Sequence, residues 1–131
     1  MDFVSRVDPS SCEPAPDGMR VFPLARTESC SFAEFALPAQ QTSRAVVHDH
    51  LDEVWYVLAG TASVWLRGDA GERIERITVA DCVTIPKGTA FQTQAGPDGI
   101  RVVAVTAPPW GGDGDARLVP GYWVSTFDED D

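Results

Sequence analysis

The sequence predicts an all-β protein, and three observations lead to that prediction. The chain has 131 residues, which is the length of one domain. Hydrophobic residues make up 44% of it, enough for a packed core, so wholesale disorder is excluded. The apolar residues fall in short β-type segments separated by turn residues, and no window carries a helical apolar stripe. Many short, evenly spaced strands are typical of a sandwich or a barrel.

The predicted elements follow one another along a single domain. Residues 1–18 are rich in proline and are predicted to be an extended arm. Residues 19–107 form the barrel, and residues 108–131 form a C-terminal loop with room for one last strand and an acidic tail. The turn residues of 59–60 and 96–99 each separate two of the strands. The nine predicted strands are Met19–Leu24, Ser31–Leu37, Ala45–His50, Val54–Leu58, Thr61–Leu66, Arg73–Val79, Cys82–Ile85, Ala90–Ala95 and Ile100–Ala107.

The charge of the chain excludes two classes of partner. Ten Lys and Arg residues against twenty Asp and Glu residues give a formal net charge of −10 at neutral pH. Nucleic-acid binding needs a basic stripe that displaces counterions from phosphates, and the basic residues here do not cluster. Anionic membrane surfaces are equally poor partners. We therefore expect neither a nucleic-acid partner nor a membrane partner.

The sequence also predicts a cytoplasmic location. No run approaches the roughly 20 consecutive apolar residues that span a bilayer. The first eighteen residues are acidic and rich in proline, unlike a signal peptide. Cys12, Cys30 and Cys82 are widely spaced and form no CxxC pair, so neither a disulfide framework nor a zinc finger is expected. Reduced thiols of this kind are typical of the cytoplasm.

The two histidines of the chain stand close together, as His48 and His50, and Glu53 follows them. On a strand, residues 48 and 50 would point to the same face, about 7 Å apart. Two histidines and one carboxylate on one side of a metal, with open positions opposite, are the arrangement of non-haem iron oxygenases. The alternative is that these residues form a polar surface at the end of a strand.

Two stretches of the sequence resemble the cupin superfamily. The first is HDHLDEVWYVLAG, in which His48, His50, Glu53 and Gly60 match by type a motif of HxH, three or four residues, Glu, six residues and Gly. The second is ADCVTIPKGTAF, whose Ile-Pro-x-Gly turn after a strand is characteristic of the second cupin motif. The resemblance covers roughly residues 44–106. It implies a small double-stranded β-helix, or jelly-roll barrel, that is often dimeric and holds a ligand pocket inside.

The first motif departs from the cupin pattern in its spacing. Only two residues separate His50 from Glu53, one fewer than the motif's minimum. In a second alignment, His48 takes the place of the motif's second histidine with four residues before Glu53. Val46 then stands where the first histidine would be, and His50 is extra.

The second motif is degenerate at its ligand positions. Its histidine falls on Phe91 and its terminal asparagine on Ala95. A cupin site with three histidines is therefore excluded by count. Gln92 could supply an amide oxygen to the site, provided that a bulge turned it inward.

Three functions follow from this resemblance. The first is a metal-assisted isomerase, oxygenase or lyase acting on a small organic substrate, with His48, His50 and Glu53 holding Fe, Mn, Ni or Zn. The second is a metal-free enzyme in which one histidine and Glu53 act as acid and base. The third is a non-catalytic module that binds or senses a small molecule.

Aromatic residues are predicted to line the pocket, and the arm is predicted to contact a partner. Trp55, Phe91 and Phe35 would form an apolar wall, together with Gln92; the alternative is that these rings are simply barrel core. The arm contains Phe3, Val4 and Val7, which could lie across the sheet edge of a second copy. We therefore expect a homodimer.

Overall fold

The computed structural model describes residues 3–111 and 116–127. Within these ranges the chain forms nine strands and no helix, which confirms the all-β prediction. No helix in the described part is thus long and apolar enough to cross a membrane. The predicted acidic tail, residues 128–131, lies outside the described residues. The strands are β1 (Glu13–Pro14), β2 (Arg20–Arg26), β3 (Ser31–Leu37), β4 (Val46–Val47), β5 (Asp52–Gly68), β6 (Gly71–Ile77), β7 (Cys82–Ile85), β8 (Ala90–Ala107) and β9 (Arg117–Leu118).

Two long strands, β5 and β8, organise the sheet. They pair antiparallel from Asp52 opposite Ala107 to Arg67 opposite Ala90, so each runs through both halves of the fold. One half has the order β1-β2-β3-β8-β5-β7, and the other has β9-β4-β8-β5-β6. Every strand pair is antiparallel. The sheet curls on itself in this way and encloses an interior, which is the jelly-roll architecture that the sequence predicts.

Two predicted breaks lie inside these long strands. Gly60 pairs with Ile100, and Ala62 pairs with Ala95. Only residue 61 of β5 therefore lies opposite residues 96–99 of β8, and these four residues bulge from the ladder. Gly60 has a φ of +83°, and a Cβ there would lie 2.0 Å from the carbonyl oxygen of Gly99. The turn residues therefore bend the paired strands from one half of the sheet to the other instead of ending them.

Alternation along the first half of β5 separates the interior from the surface. Residues 53, 55 and 57 are buried, and residues 52, 54, 56 and 58 are exposed. The period of two places one set of side chains on each face of a strand. The buried set joins a continuous apolar core, whose members include Val21, Leu37, Val57, Val64, Ile85, Ile100 and Val102.

The segments before β2 and after β9 meet beside the barrel. The Phe127 ring packs on Gly18, where an added Cβ would come within 2.7 Å of the ring. The Arg44 guanidinium donates hydrogen bonds to the carbonyl of Pro16 at 3.2 Å and to that of Phe127 at 2.7 Å. Arg44 therefore joins two segments that lie more than a hundred residues apart in the sequence.

Candidate active site

Glu53 and Trp55 enter the interior from the first half of β5. They occupy neighbouring inward positions, and both side chains are buried. The indole Nε1 of Trp55 donates a hydrogen bond to Oε2 of Glu53. Burial of a carboxyl costs free energy unless it is hydrogen-bonded, and this bond supplies one partner.

His48 comes directly after β4 and turns into the same interior. Its backbone carbonyl accepts a hydrogen bond of 2.8 Å from the amide of Gly88, in the Ile-Pro-x-Gly turn. The amide of Lys87, in the same turn, donates to Oδ1 of Asp52 at 2.9 Å. The turn thus fixes the end of β4 beside the start of β5. This is the structural reason that the two motifs of the sequence act together.

The imidazole of His48 and the carboxyl of Glu53 form a buried pair. Nε2 of His48 lies 3.3 Å from Oε1 of Glu53, so both carboxyl oxygens have a partner once the Trp55 indole is counted. The Phe91 ring covers the pair: its centroid is 5.9 Å from that of His48 and 6.0 Å from that of Trp55. The pair can therefore exchange a proton in surroundings that exclude most water.

Asp17 is a third titratable group of this interior. It lies in a turn before β2, in which the amide of Met19 donates to Oδ1 of Asp17 at 3.0 Å. The Arg44 amide donates to the Asp17 carbonyl at 2.8 Å, and the side chain is only 6% exposed. Burial is the main reason that the pKa of this carboxyl is raised from 3.8 to about 6, and the negative charge of Glu53 adds to the rise. The hydrogen bond from the Met19 amide and the charge of His48 lower the pKa and oppose it.

Sequence reasoning missed Asp17 as a site residue. It belongs to neither cupin motif and lies about thirty residues before His48. The only local signal is the Pro-Asp-Gly sequence at 16–18, which predicts a turn and says nothing about a site.

The three groups share a cavity of about 10 Å³. That volume holds about one water molecule and no organic substrate. The predicted pocket residues Trp55, Phe91 and Phe35 all contribute to its wall. The described residues that line it are Ala15, Pro16, Asp17, Phe35, Val46, His48, Glu53, Trp55, Phe91, Trp110 and Ala116.

The structure does not bring His50 to the other two predicted ligands. The expectation that residues 48 and 50 share a strand face is wrong, because β4 ends at Val47 and the chain turns over residues 49–50. His48 and Glu53 are consequently buried, whereas His50 is exposed. The second alignment of the motif describes this arrangement: Val46 and His48 both line the cavity.

The residues present do not fit a divalent metal at this position. Among the described residues, no group of three His, Cys, Asp or Glu side chains is placed to hold an ion. Val46 and Phe91 put apolar side chains where the cupin motifs have histidines. Both oxygens of Glu53 are engaged by protein partners, and Oδ1 of Asp17 is engaged by a backbone amide.

Gln92 does not face the cavity, contrary to its predicted role. It points to the opposite side of β8, where its Nε2 donates to the carbonyls of Ser43 at 2.8 Å and Trp123 at 3.0 Å. Its Oε1 accepts from the amides of Tyr122 and Trp123, both at 2.9 Å. No bulge turns it inward, because the ladder to β5 is regular from residue 90 to 95. Gln92 attaches the C-terminal segment to the barrel.

Comparison with known proteins identifies the fold. No protein-family model and no curated protein sequence matches the chain. The oxalate decarboxylase of B. subtilis, in a single-residue variant, has a TM-score of 0.73 and 16% identity over 91% of this chain, which spans 34% of the decarboxylase chain. Streptomyces PAC13, a variant determined with uridine, has a TM-score of 0.71 and 14% identity over 92% of each chain.

A third similar structure carries the fold name itself. The cupin domain of Cnp3 from Schizosaccharomyces pombe has a TM-score of 0.64 and 15% identity, over 74% of this chain and 67% of that domain's chain. Together with the strand order and the position of the His48–Glu53 pair, these likenesses lead to one conclusion. The chain has the cupin fold, a double-stranded β-helix.

Proposed function

We propose that this protein is a metal-free cupin enzyme that moves protons on a small organic substrate, with His48 and Glu53 as its acid–base pair. The observation that carries the proposal is the buried contact of 3.3 Å between Nε2 of His48 and Oε1 of Glu53. The metal-assisted alternative needs His50 as a ligand, and the exposed position of His50 gives that alternative no support.

The pair has the chemistry that such a reaction needs. An imidazole changes protonation state near neutral pH, and a carboxylate beside it accepts or returns a proton. A positioned acid or base contributes about 10²–10⁴-fold to the rate of enolisation, epimerisation, dehydration or cyclisation. The closed cavity holds no substrate, so a substrate enters when part of the boundary moves, and the aromatic wall formed by Phe35, Trp55 and Phe91 then orients it.

The charge of the site favours an uncharged substrate. Among the described residues that line the cavity there are two carboxyl groups and no lysine or arginine. The net charge of −10 also repels anions from the surface. Carboxylates and phosphates are poor substrates for these two reasons. The determination of PAC13 with uridine, an uncharged molecule, is consistent with such a substrate class.

The proposal is tested by proton exchange in D₂O. EDTA-treated protein is incubated with dihydroxyacetone and glyceraldehyde, which interconvert through one enediol, and deuterium at the carbon next to the carbonyl is followed by NMR. We expect His48→Gln and Glu53→Gln to lower the exchange rate by about 10²–10⁴-fold. His50→Gln changes an exposed imidazole two residues away and should leave the rate unchanged.

Two other results would overturn the proposal. Exchange that returns only with added Fe, Mn, Ni or Zn, and that His50→Gln abolishes, would establish the metal-assisted enzyme. Wild-type protein that exchanges no deuterium above the buffer rate would exclude proton transfer on these compounds. Tight binding of either compound without turnover would then favour the non-catalytic module.

The proposed assembly is a cytoplasmic homodimer. Phe3 is 93% exposed and Val4 is 66% exposed in the single chain, so their apolar surface is available to a second copy. The three free cysteines are compatible with a reducing compartment.

A further inference from the structure

The Asp17 carboxyl has no role in the acid–base pair, although it shares the cavity with that pair. Its burial lies between those of His48 and Glu53, and it lines the same cavity of about 10 Å³. One of its oxygens is held by the Met19 amide at 3.0 Å. Burial of a carboxyl is costly, and the hydrogen bond to the Met19 amide does not require one, because an asparagine oxygen accepts it equally well. The position of Asp17 therefore calls for a reason other than stability.

The walls of the cavity differ in how they are held. Phe35, Val46, Glu53 and Trp55 lie on paired strands and cannot move without breaking the sheet. Asp17 instead lies in a turn, residues 15–19, outside the strands.

Ala15 and Met19, the two ends of that turn, are buried in the apolar core, so the part between them, residues 16–18, is held mainly by hydrogen bonds. Arg44 donates from its backbone amide to the Asp17 carbonyl at 2.8 Å and from its side chain to the Pro16 carbonyl at 3.2 Å. Because the closed cavity holds about one water molecule, a substrate enters only if a part of its boundary moves away. Residues 16–18 lie outside the strands and between the two buried ends of the turn, so this part of the described boundary can move without breaking the sheet, and its return brings Asp17 against the substrate.

We propose that Asp17 is a third catalytic residue of this site, carried to the substrate by the closing of residues 16–18. The inference rests on the proposed proton-transfer function. In an enolisation, the His48–Glu53 pair takes the proton from the carbon next to the substrate carbonyl, and that C–H bond breaks. The electron pair forms the C=C bond, and the Asp17 carboxyl gives its proton to the carbonyl oxygen, which becomes the enol hydroxyl. Return of a proton to the carbon and of the hydroxyl proton to Asp17 completes the cycle.

The surroundings of the two carboxyls suit this division of roles. Glu53 accepts from the Trp55 indole and contacts His48, so it is placed among donors. Asp17 accepts from the Met19 amide in a nearly dry position, and its pKa, raised to about 6, lets it carry a proton at slightly acid pH. Two carboxyls in different environments are the usual arrangement of a paired acid and base.

The experiment compares Asp17→Asn with a matched control in the same D₂O exchange assay on dihydroxyacetone. The control is Asp8→Asn, because Asp8 also accepts a backbone amide two residues on at 3.0 Å but is exposed on the arm. We expect Asp17→Asn to lower the exchange rate by about 100-fold and Asp8→Asn to leave it unchanged. We also expect the pH profile of exchange by the wild-type protein to carry a limb near pH 6 that Asp17→Asn lacks, since a merely structural role would not change the shape of the profile.

The outcomes separate this inference from the proposed function. If His48→Gln and Glu53→Gln abolish exchange while Asp17→Asn retains it, Asp17 is not catalytic and the acid–base pair stands. If Asp17→Asn lowers exchange but keeps the pH profile of the wild-type protein, the role of Asp17 is structural and the inference is wrong. If the wild-type protein exchanges no deuterium, both proposals fail together.

Discussion

Replacement of Asp17 by asparagine should stabilise the protein above pH 6 and have little effect near pH 4. The pKa of Asp17 is raised in the folded protein, from 3.8 to about 6, chiefly by burial. The folded state therefore holds this proton more tightly than the unfolded state does. Tight binding of this proton by Asp17 stabilises the folded state fully below pH 3.8, and that stabilisation is lost as the pH rises through about 6. The asparagine side chain of the variant stays neutral throughout and keeps an oxygen for the Met19 amide.

The magnitude follows from the size of the shift. The difference of 6 − 3.8 = 2.2 pKa units, at about 1.36 kcal/mol per unit, gives about 3 kcal/mol lost by the wild-type protein at high pH. The full difference should appear near pH 8, and it corresponds to roughly 10 °C in Tm for a domain of this size.

The assay is urea unfolding, followed by tryptophan fluorescence at about half-unit steps between roughly pH 4 and 8. The quantity of interest is the variant's free energy of unfolding minus that of the wild type, since charges elsewhere cancel in it. Asp8→Asn is again the control, because a hydrogen bond from Ser10 lowers the pKa of that exposed carboxyl and leaves no rise of this kind. A difference curve for Asp17→Asn that is flat across this range would refute the reasoning.

Three further predictions concern stability and assembly. Gln92→Leu removes four hydrogen bonds of a buried amide, one of them to the buried carbonyl of Ser43. We expect it to lower the free energy of unfolding by about 3 kcal/mol in urea titrations, against under 1 kcal/mol for Gln94→Leu. Gly18→Ala should lower Tm more than Gly71→Ala does. Both glycines have positive φ, but only at Gly18 does the new Cβ meet a ring. Light scattering should give about twice 14.2 kDa, and Phe3→Ser should shift the protein toward the monomer.

Each of these predictions has a clear contrary result. Equal effects of Gln92→Leu and Gln94→Leu would mean that the C-terminal segment does not depend on the buried amide. An equal fall in Tm for the two glycine variants would mean that the destabilisation comes from the positive φ alone and not from the contact with the Phe127 ring. A mass of 14.2 kDa for the wild-type protein would exclude the homodimer.

The sequence predicted the inward positions of Glu53 and Trp55 because the alternation of buried and exposed residues continues along the first half of β5. Glu53 and Trp55 are inward residues of a regular strand, so a period of two places them correctly. The same rule failed for His50, because β4 ends at Val47 and a period of two has no meaning in the turn that follows. Spacing along a sequence predicts a shared face only as far as the strand extends.

The positions of Asp17 and Gln92 could not be predicted from a local sequence pattern, for a different reason. Asp17 reaches the site through contacts between its own turn and Arg44, which lies outside that turn. Gln92 is adjacent to the cavity residue Phe91, but its partners come from residue 43 and from residues 122–123. Both roles depend on which distant segment packs against a strand, and no short stretch of the sequence carries that information.

The contact between Gly18 and Phe127 has a consequence for the order in which the protein is made. Residues 16–18 leave the ribosome early, but the ring that packs on them and the carbonyl that Arg44 also binds are synthesised more than a hundred residues later. A nascent chain that already contains β2 to β8 therefore lacks part of what holds the turn at residues 15–19. The full set of contacts of that turn, which adjoins His48 and Glu53, should therefore form only when residue 127 has left the exit tunnel.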